Sequence, residues 1–243
     1  MNIREYQYQL ISLFKTDPEA FRAEVKKYEK LLGQNFDIDI APHYYSGDID
    51  TAKYLSITLN PVTSNFSYYQ SEKMTSMSES EIHDYCTNWF ALNEGKVKTF
   101  TFTRVNKMID AIEGLNAGGK FKALHKQAAI LDLVPFFSKT TSFKPFDITS
   151  GLGKDIWDRV YSLSLSQHIE AVFLIGGIFN FLFDSINDEV EKEAQTSILT
   201  SKAKSIYQTV KLRKKGKFYH LSHAASARGM NDKIFTEFIP ENL

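Results

Sequence analysis

At 243 residues, with 43% hydrophobic and 24% charged residues, the chain has ordinary globular usage, which excludes wholesale disorder and supplies length for one large core. Its 29 Lys and Arg balance 29 Asp and Glu, so no net field draws it to nucleic acid and any such affinity has to be local. No apolar run approaches the roughly 18 residues of a membrane span, and the first ten residues are too polar for a signal peptide, so the chain reads as a cytoplasmic protein without a membrane partner.

Residues 2–15 and 17–33 read as two helices. The second opens on Asp17-Pro18, a capping residue followed by proline at the first helical position, and stops at Gly33. Residues 34–51 read as a loop, so residues 1–50 form a helical extension to a single domain covering 1–243. Tyr54–Leu59 is the first buried strand, followed by a polar stretch from Thr63 to Ser80. Ser78-Glu79-Ser80-Glu81 starts a helix to about Leu92, and another runs from Phe100 to Leu115 with Val105, Met108, Ile109 and Ile112 on one face. Ala128–Val134, bounded by Pro135, is a second strand. The spacing of Ile156, Val160, Leu163 and Ile169 predicts a helix leading into a third strand, Ala171–Ile175, which ends at Gly176-Gly177. An apolar helix to about Ile186 follows. Glu189–Glu193 is acidic and exposed, Ser205–Leu212 fits helix or strand, Lys217–Ser222 is a fourth strand, and Asn231–Phe238 is a short C-terminal helix.

Apolar strands separated by helices predict an α/β three-layer sandwich around a central, mainly parallel four-stranded sheet. Such sheets bind ligands beyond the carboxyl ends of their strands. The strands end in Asn60-Pro61, Asp132-Leu133-Val134-Pro135, Gly176 and His223-Ala224-Ala225-Ser226. In this order the four strand ends resemble the uracil-DNA glycosylase superfamily. Its members carry a Gly-x-Asn-Pro or Gly-x-Asp-Pro motif after the first strand, Asn after the second, Gly after the third and His-Pro-Ser after the last. The resemblance covers roughly residues 53–230. The chain departs from the pattern at Thr58, where the family has Gly, at Asp132, where it has a base-reading Asn, and at Ala224-Ala225, where it has Pro-Ser.

What the resemblance implies is a DNA glycosylase that everts a nucleotide and breaks the bond from base to sugar through an oxocarbenium-like state. Asn60 would orient a water toward the sugar. His223 would donate to the oxygen of the departing base, a preorganised contact typically worth about 3–4 kcal/mol. Phe66, Tyr68 or Tyr69 would stack on the base; spacing does not choose among them. Asp132 would read the base edge, and as an ionised, acceptor-only carboxylate it would prefer an exocyclic amino group to a carbonyl. Arg228 and Met230 fall where the family places a wedge loop, and with Lys211, Arg213, Lys214, Lys215 and Lys217 they would form a basic edge against DNA phosphates. Taken alone, that basic run is a solvated hairpin turn centred on Gly216.

His43, His83, His125 and His168 have no metal-ligand spacing with Cys or carboxylates, no phosphate-binding Gly loop follows a strand, and the single cysteine, Cys86, permits no iron–sulfur cluster, so no cofactor is expected. His220, within the fourth strand, competes with His223 for the histidine role. Two other readings fit the same residues: a noncatalytic nucleic-acid binder or immune sensor on a glycosylase-like fold, and a hydrolase of free nucleosides or nucleotides.

Overall fold

A computed structural model of the chain describes residues 1–96, 100–116, 121, 124, 127–139, 143–186, 189–199, 207–222 and 232–243. The chain is α/β. Its strands are β1 (Tyr45–Ser46), β2 (Tyr54–Thr58), β3 (Ala128–Asp132), β4 (Ala171–Ile175), β5 (Lys192–Leu199), β6 (Tyr207–Lys215) and β7 (Phe218–Leu221), joined in one sheet in the order β1-β3-β2-β4-β7-β6-β5. Its helices are α1 (Ile3–Thr16), α2 (Pro18–Leu32), α3 (Asn65–Thr75), α4 (Glu79–Thr87), α5 (Trp89–Asn93), α6 (Phe100–Glu113), α7 (Gly151–Ser164), α8 (Phe179–Ser185) and α9 (Ile239–Asn242), the last preceded by a π-helical turn at Ile234–Phe238.

The four strands expected from the sequence lie side by side. They are continuous apolar runs, the pattern of strands covered on both faces, and β3, β4 and β7 are buried along their whole length. β2 pairs in parallel with β4 (Tyr54 opposite Ala171), and β4 in parallel with β7 (Val172 opposite Phe218). The expected four-stranded, mainly parallel sheet is nevertheless corrected to a mixed seven-stranded one. β6 pairs antiparallel with β7, and β5 antiparallel with β6. β5 reads Lys-Glu-Ala-Gln-Thr-Ser-Ile-Leu, which carries no apolar alternation, because an edge strand held through its backbone needs none and charged residues there oppose unwanted pairing. The order reverses at β2, with β3 on one side and β4 on the other. Ligands of open α/β sheets bind beyond the carboxyl ends of strands at such a reversal.

The chain divides into two compact units that interleave in sequence: Met1–Ser46, Thr58–Thr87 and Leu131–Ser166 form the first, and Gly47–Ile57, Asn88–Ile130 and Gln167–Leu243 the second. In the first, the side chain of Asp17 accepts from Ala20 N, Pro18 occupies the first turn of α2, and Gly33 closes it with φ +66°, the left-handed conformation that glycine adopts at least cost. α1 and α2 pack together through an edge-on pair of Phe14 and Phe21. Phe21, Tyr28 and Phe36 then surround the ring of Phe136, at 5.9, 4.9 and 5.7 Å between centroids. From α1, Gln7 donates to Pro42 O (2.7 Å) and accepts from Tyr44 N (2.7 Å). The N-terminal helices therefore clamp the segments 42–44 and 133–138, which lie next to the ends of β2 and β3.

In the second unit, Val105 and Met108 of α6 line a small apolar cavity together with Phe173, Leu212, Phe235 and Ile239. Trp89, Phe90, Phe102 and Phe121 make a cluster of edge-on and tilted rings. Among the described residues no helix is long and apolar enough to cross a membrane.

Candidate functional site

Beyond the strands, the two motif segments of the first unit continue side by side. Leu133 N donates to Thr58 O and Val134 N to Leu59 O, both at 2.8 Å; Ser138 N donates to Pro61 O (3.1 Å) and Thr63 N to Ser138 O (3.0 Å). This ladder fixes the backbone of Asn60, whose side chain is buried at 7% exposure. Its amide nitrogen Nδ2 donates to Pro61 O (3.0 Å), Phe136 O (3.3 Å) and Ser138 Oγ (2.8 Å). Two of these partners are carbonyl oxygens, which only accept, so the amide can sit only with its nitrogen toward them. The oxygen Oδ1 is left buried and, among the described residues, without a hydrogen-bond partner. A buried acceptor costs about 1–3 kcal/mol unless a donor such as a water or a ligand N–H meets it.

On the neighbouring strand end, Asp132 is buried, its backbone N donating to Tyr44 O (2.9 Å). Thr58 Oγ1 donates to Asp132 Oδ1 at 2.6 Å, and this is the carboxyl's one hydrogen bond among the described residues. Burial pushes the carboxyl up to about 7, with the Thr58 bond pulling the other way. The expectation of a fully ionised, acceptor-only Asp132 is therefore corrected: near neutrality a large share of it carries a proton. Thr58 and Asp132, two of the departures from the motifs that the strand ends resemble, are bonded to each other.

Further groups of this unit had no sequence signal because partners such as Gln70 for His43 and Tyr28 for Arg159 are distant in the chain. His43 is buried, with Nδ1 2.7 Å from Gln70 Nε2 and Nε2 2.8 Å from Ser46 Oγ. The Gln70 amide donates to Nδ1, which puts the ring proton on Nε2, and burial depresses the imidazole to about 3, so His43 is neutral. Arg159 on α7 reaches Tyr28 OH (3.0 Å) and Tyr44 OH (3.3 Å) and lies 4.0 Å over the ring of Tyr6. Cavities of about 450 and 400 Å³ in this unit are lined elsewhere, the first by residues including Arg4, Tyr45, Glu79 and His83, the second by residues including Glu24, Lys27, Asp155 and Arg159.

The three aromatic candidates lie on α3, a helix in the stretch expected to be an irregular polar segment. Ser64 caps it through Ser67. Helical spacing brings Phe66 and Tyr69 together, 6.0 Å between centroids, with Tyr69 52% exposed. Tyr68 points elsewhere and donates to Asp37 Oδ2 at 2.9 Å.

In the second unit, the basic run forms the end of β6, a turn at Gly216 with φ +56°, and the approach to β7. Strand alternation puts Lys211, Arg213 and Lys215 on one face and Lys214 on the other. Lys211 pairs with Glu193 (3.3 Å), Arg213 with Asp184 (2.7 Å) and Lys214 with Glu191 (3.5 Å). Lys215 is buried beside Phe183, and Lys217 donates to Ile169 O (3.4 Å). The run is thus split between faces and largely neutralised by carboxylates. His223, Arg228 and Met230 lie outside the described residues. The competing histidine, His220, is fully buried; its Nε2 donates to Gly176 O at 3.2 Å, its Nδ1 has no partner among the described residues, and burial depresses it to about 4. That is the environment of a neutral core histidine.

Cys86 is buried with its thiol raised by burial, and among the described residues no three His, Cys, Asp or Glu are grouped to hold a metal ion. No family model matches the chain, and no curated protein or solved structure matches it.

Proposed function

We propose that the protein hydrolyses the N-glycosidic bond of an everted base in DNA, acting in the cytoplasm on a three-layer α/β frame. The observation that carries this is the state of Asn60: an amide locked through its nitrogen, with an unpartnered oxygen at the strand end where open α/β sheets take ligands. In this reading Oδ1 accepts a hydrogen bond from a water and holds that water's oxygen toward the sugar. The amide is too weak a base to remove the proton early, which suits a loose path. The bond from base nitrogen to C1′ breaks first, its electron pair leaves with the base, and the water oxygen then bonds C1′ while the proton it loses ends on the departed base anion. His223 keeps the role that the resemblance gives it, donating to the departing base, and Phe66 and Tyr69 offer paired ring faces for stacking. The pairing of Lys211, Arg213 and Lys214 with carboxylates moves the expected phosphate contacts toward Arg228 and its neighbours.

The test is incubation of the protein, Asn60→Ala and His223→Ala with single- and double-stranded oligonucleotides carrying different bases, followed by alkaline cleavage at abasic sites. Release by the native protein that falls at least about a hundredfold in Asn60→Ala supports the reading. Binding of the oligonucleotides without release of any base would replace it with the noncatalytic binder, and turnover of free nucleosides alone with a small-substrate hydrolase.

A further inference from the structure

Thr58 Oγ1 donates to Asp132 Oδ1 at 2.6 Å, and the hydroxyl has no other acceptor among the described residues. The remaining oxygen, Oδ2, has no hydrogen-bond partner among the described residues. We propose that Thr58 and Asp132 form a base-edge selector in which Thr58 holds Oδ1 and leaves Oδ2 to face the base, donating to a carbonyl-edged base when the carboxyl is protonated and accepting from an amino-edged base when it is not. This rests on the glycosylase reading and names the substrate class of that same site.

The chemistry follows from what each form can do. A carboxylic acid with one oxygen fixed as acceptor and the other carrying the proton presents the acceptor–donor pair of a carboxamide. A carboxylate presents acceptors only, and a base carbonyl brought against it leaves two acceptors facing each other in a buried place. The change between the two forms falls near neutrality because burial raises the group. The surroundings do not pin its charge. From β2 it meets the neutral Thr58. From the segment before β1 it meets Tyr44, a phenol itself raised by burial, and Arg159 of α7 lies beyond that phenol, 3.3 Å from its oxygen. Among the described residues no cation bonds the carboxyl, so protonation is set by burial and by the Thr58 hydrogen bond.

Two pairs of bases differ only in this edge: uracil against cytosine, and hypoxanthine against adenine. The experiment measures kcat/KM for release of each base from otherwise identical single-stranded oligonucleotides between pH 5.5 and 8.5, for the native protein, Asp132→Asn and Thr58→Val. Dividing the two values within a pair removes the pH dependence that both reactions share. For the native protein the ratio of carbonyl-edged to amino-edged release is expected to fall by about tenfold or more across this range. Asp132→Asn, an isostere with no proton to lose, holds the ratio flat and in favour of the carbonyl edge. Thr58→Val moves the midpoint of the change to higher pH, because it removes the bond that favours the ionised form. Release of bases with a ratio that does not move with pH in the native protein overturns the selector and leaves the glycosylase reading standing. No release from any oligonucleotide at any pH overturns both.

Discussion

Replacing Asp132 by Asn should make the protein more stable, and increasingly so as pH rises. The carboxyl titrates near 3.8 in an unfolded chain and is pushed to about 7 in the folded one, because burial strips water from its charged form. At roughly 1.4 kcal/mol for each tenfold, ionising it inside the fold opposes folding by about 4 kcal/mol once the pH is well above 7. The sign follows from the raised value. The favourable contribution of the protonated acid is complete below the unfolded transition and is lost as pH climbs through about 7. At pH 5 the loss is only about 1–2 kcal/mol, so the gap between native protein and variant should widen by about 3 kcal/mol between pH 5 and 8.5. The amide keeps an oxygen for the Thr58 hydroxyl and nearly the same volume, so packing contributes little to the difference. Urea unfolding of both proteins at the two pH values measures it, with every other titrating group cancelling in the comparison. A constant difference at pH 5 and 8.5 would refute a buried carboxyl that resists ionisation.

Asn60→Ala removes the donors to Phe136 O and Ser138 Oγ and should lower stability by about 1–3 kcal/mol, whereas Asn60→Asp aims a carboxylate at two carbonyl oxygens and should be worse than Ala at pH 7 but recover toward it at pH 4. Thermal unfolding at both pH values decides, and Asp tolerated as well as Ala would contradict the assigned amide orientation. Phe136→Ala empties the ring cage of Phe21, Tyr28 and Phe36 and should cost about 3–5 kcal/mol in denaturant unfolding. His220 takes up its proton only near pH 4, below the 6.5 of an unfolded histidine. The stability it gives is present above 6.5 and is lost on acidification, by about 2 kcal/mol between pH 7 and 5. His220→Phe should remove that part of the acid sensitivity, which unfolding curves at the two pH values will show.

Where the sequence carried a local signal, the fold could be read from it. Asp17-Pro18 and Gly33 bracket α2 because caps act within a few residues, and β2, β3, β4 and β7 announce themselves as apolar runs because both their faces are covered. α3 was hidden by its composition: it buries Ser67, Gln70 and Ser71, polar residues whose value lies in hydrogen bonds to partners such as Val62 O, His43 and Ala41 N. β5 was hidden because an edge strand of charged and polar residues is stabilised by the backbone of β6 and by ion pairs such as that of Glu193 with Lys211. The same division applies at the site. Asn60 and Asp132 were visible as unusual strand ends, but the protonation of Asp132 depends on the local medium, and its partner Thr58 lies 74 residues away.

Thr58 and Asp132, two departures from the motifs that the strand ends resemble, are bonded to each other, and the pair has a thermodynamic signature separate from any activity. A hydrogen bond from a hydroxyl to a buried carboxylate is worth about 1.5–3 kcal/mol, against about 1 kcal/mol to a neutral acceptor. Thr58→Val should therefore destabilise the native protein more at pH 8.5, where the carboxyl is ionised, than at pH 5, where it is protonated. In the Asp132→Asn background the acceptor is neutral at every pH, so the same substitution should have one smaller cost at both. The four proteins unfolded in urea at the two pH values form a complete cycle. A cost of Thr58→Val that ignores pH in the native background would mean that the hydroxyl does not bear on the charge of Asp132, and the two departures would again be independent.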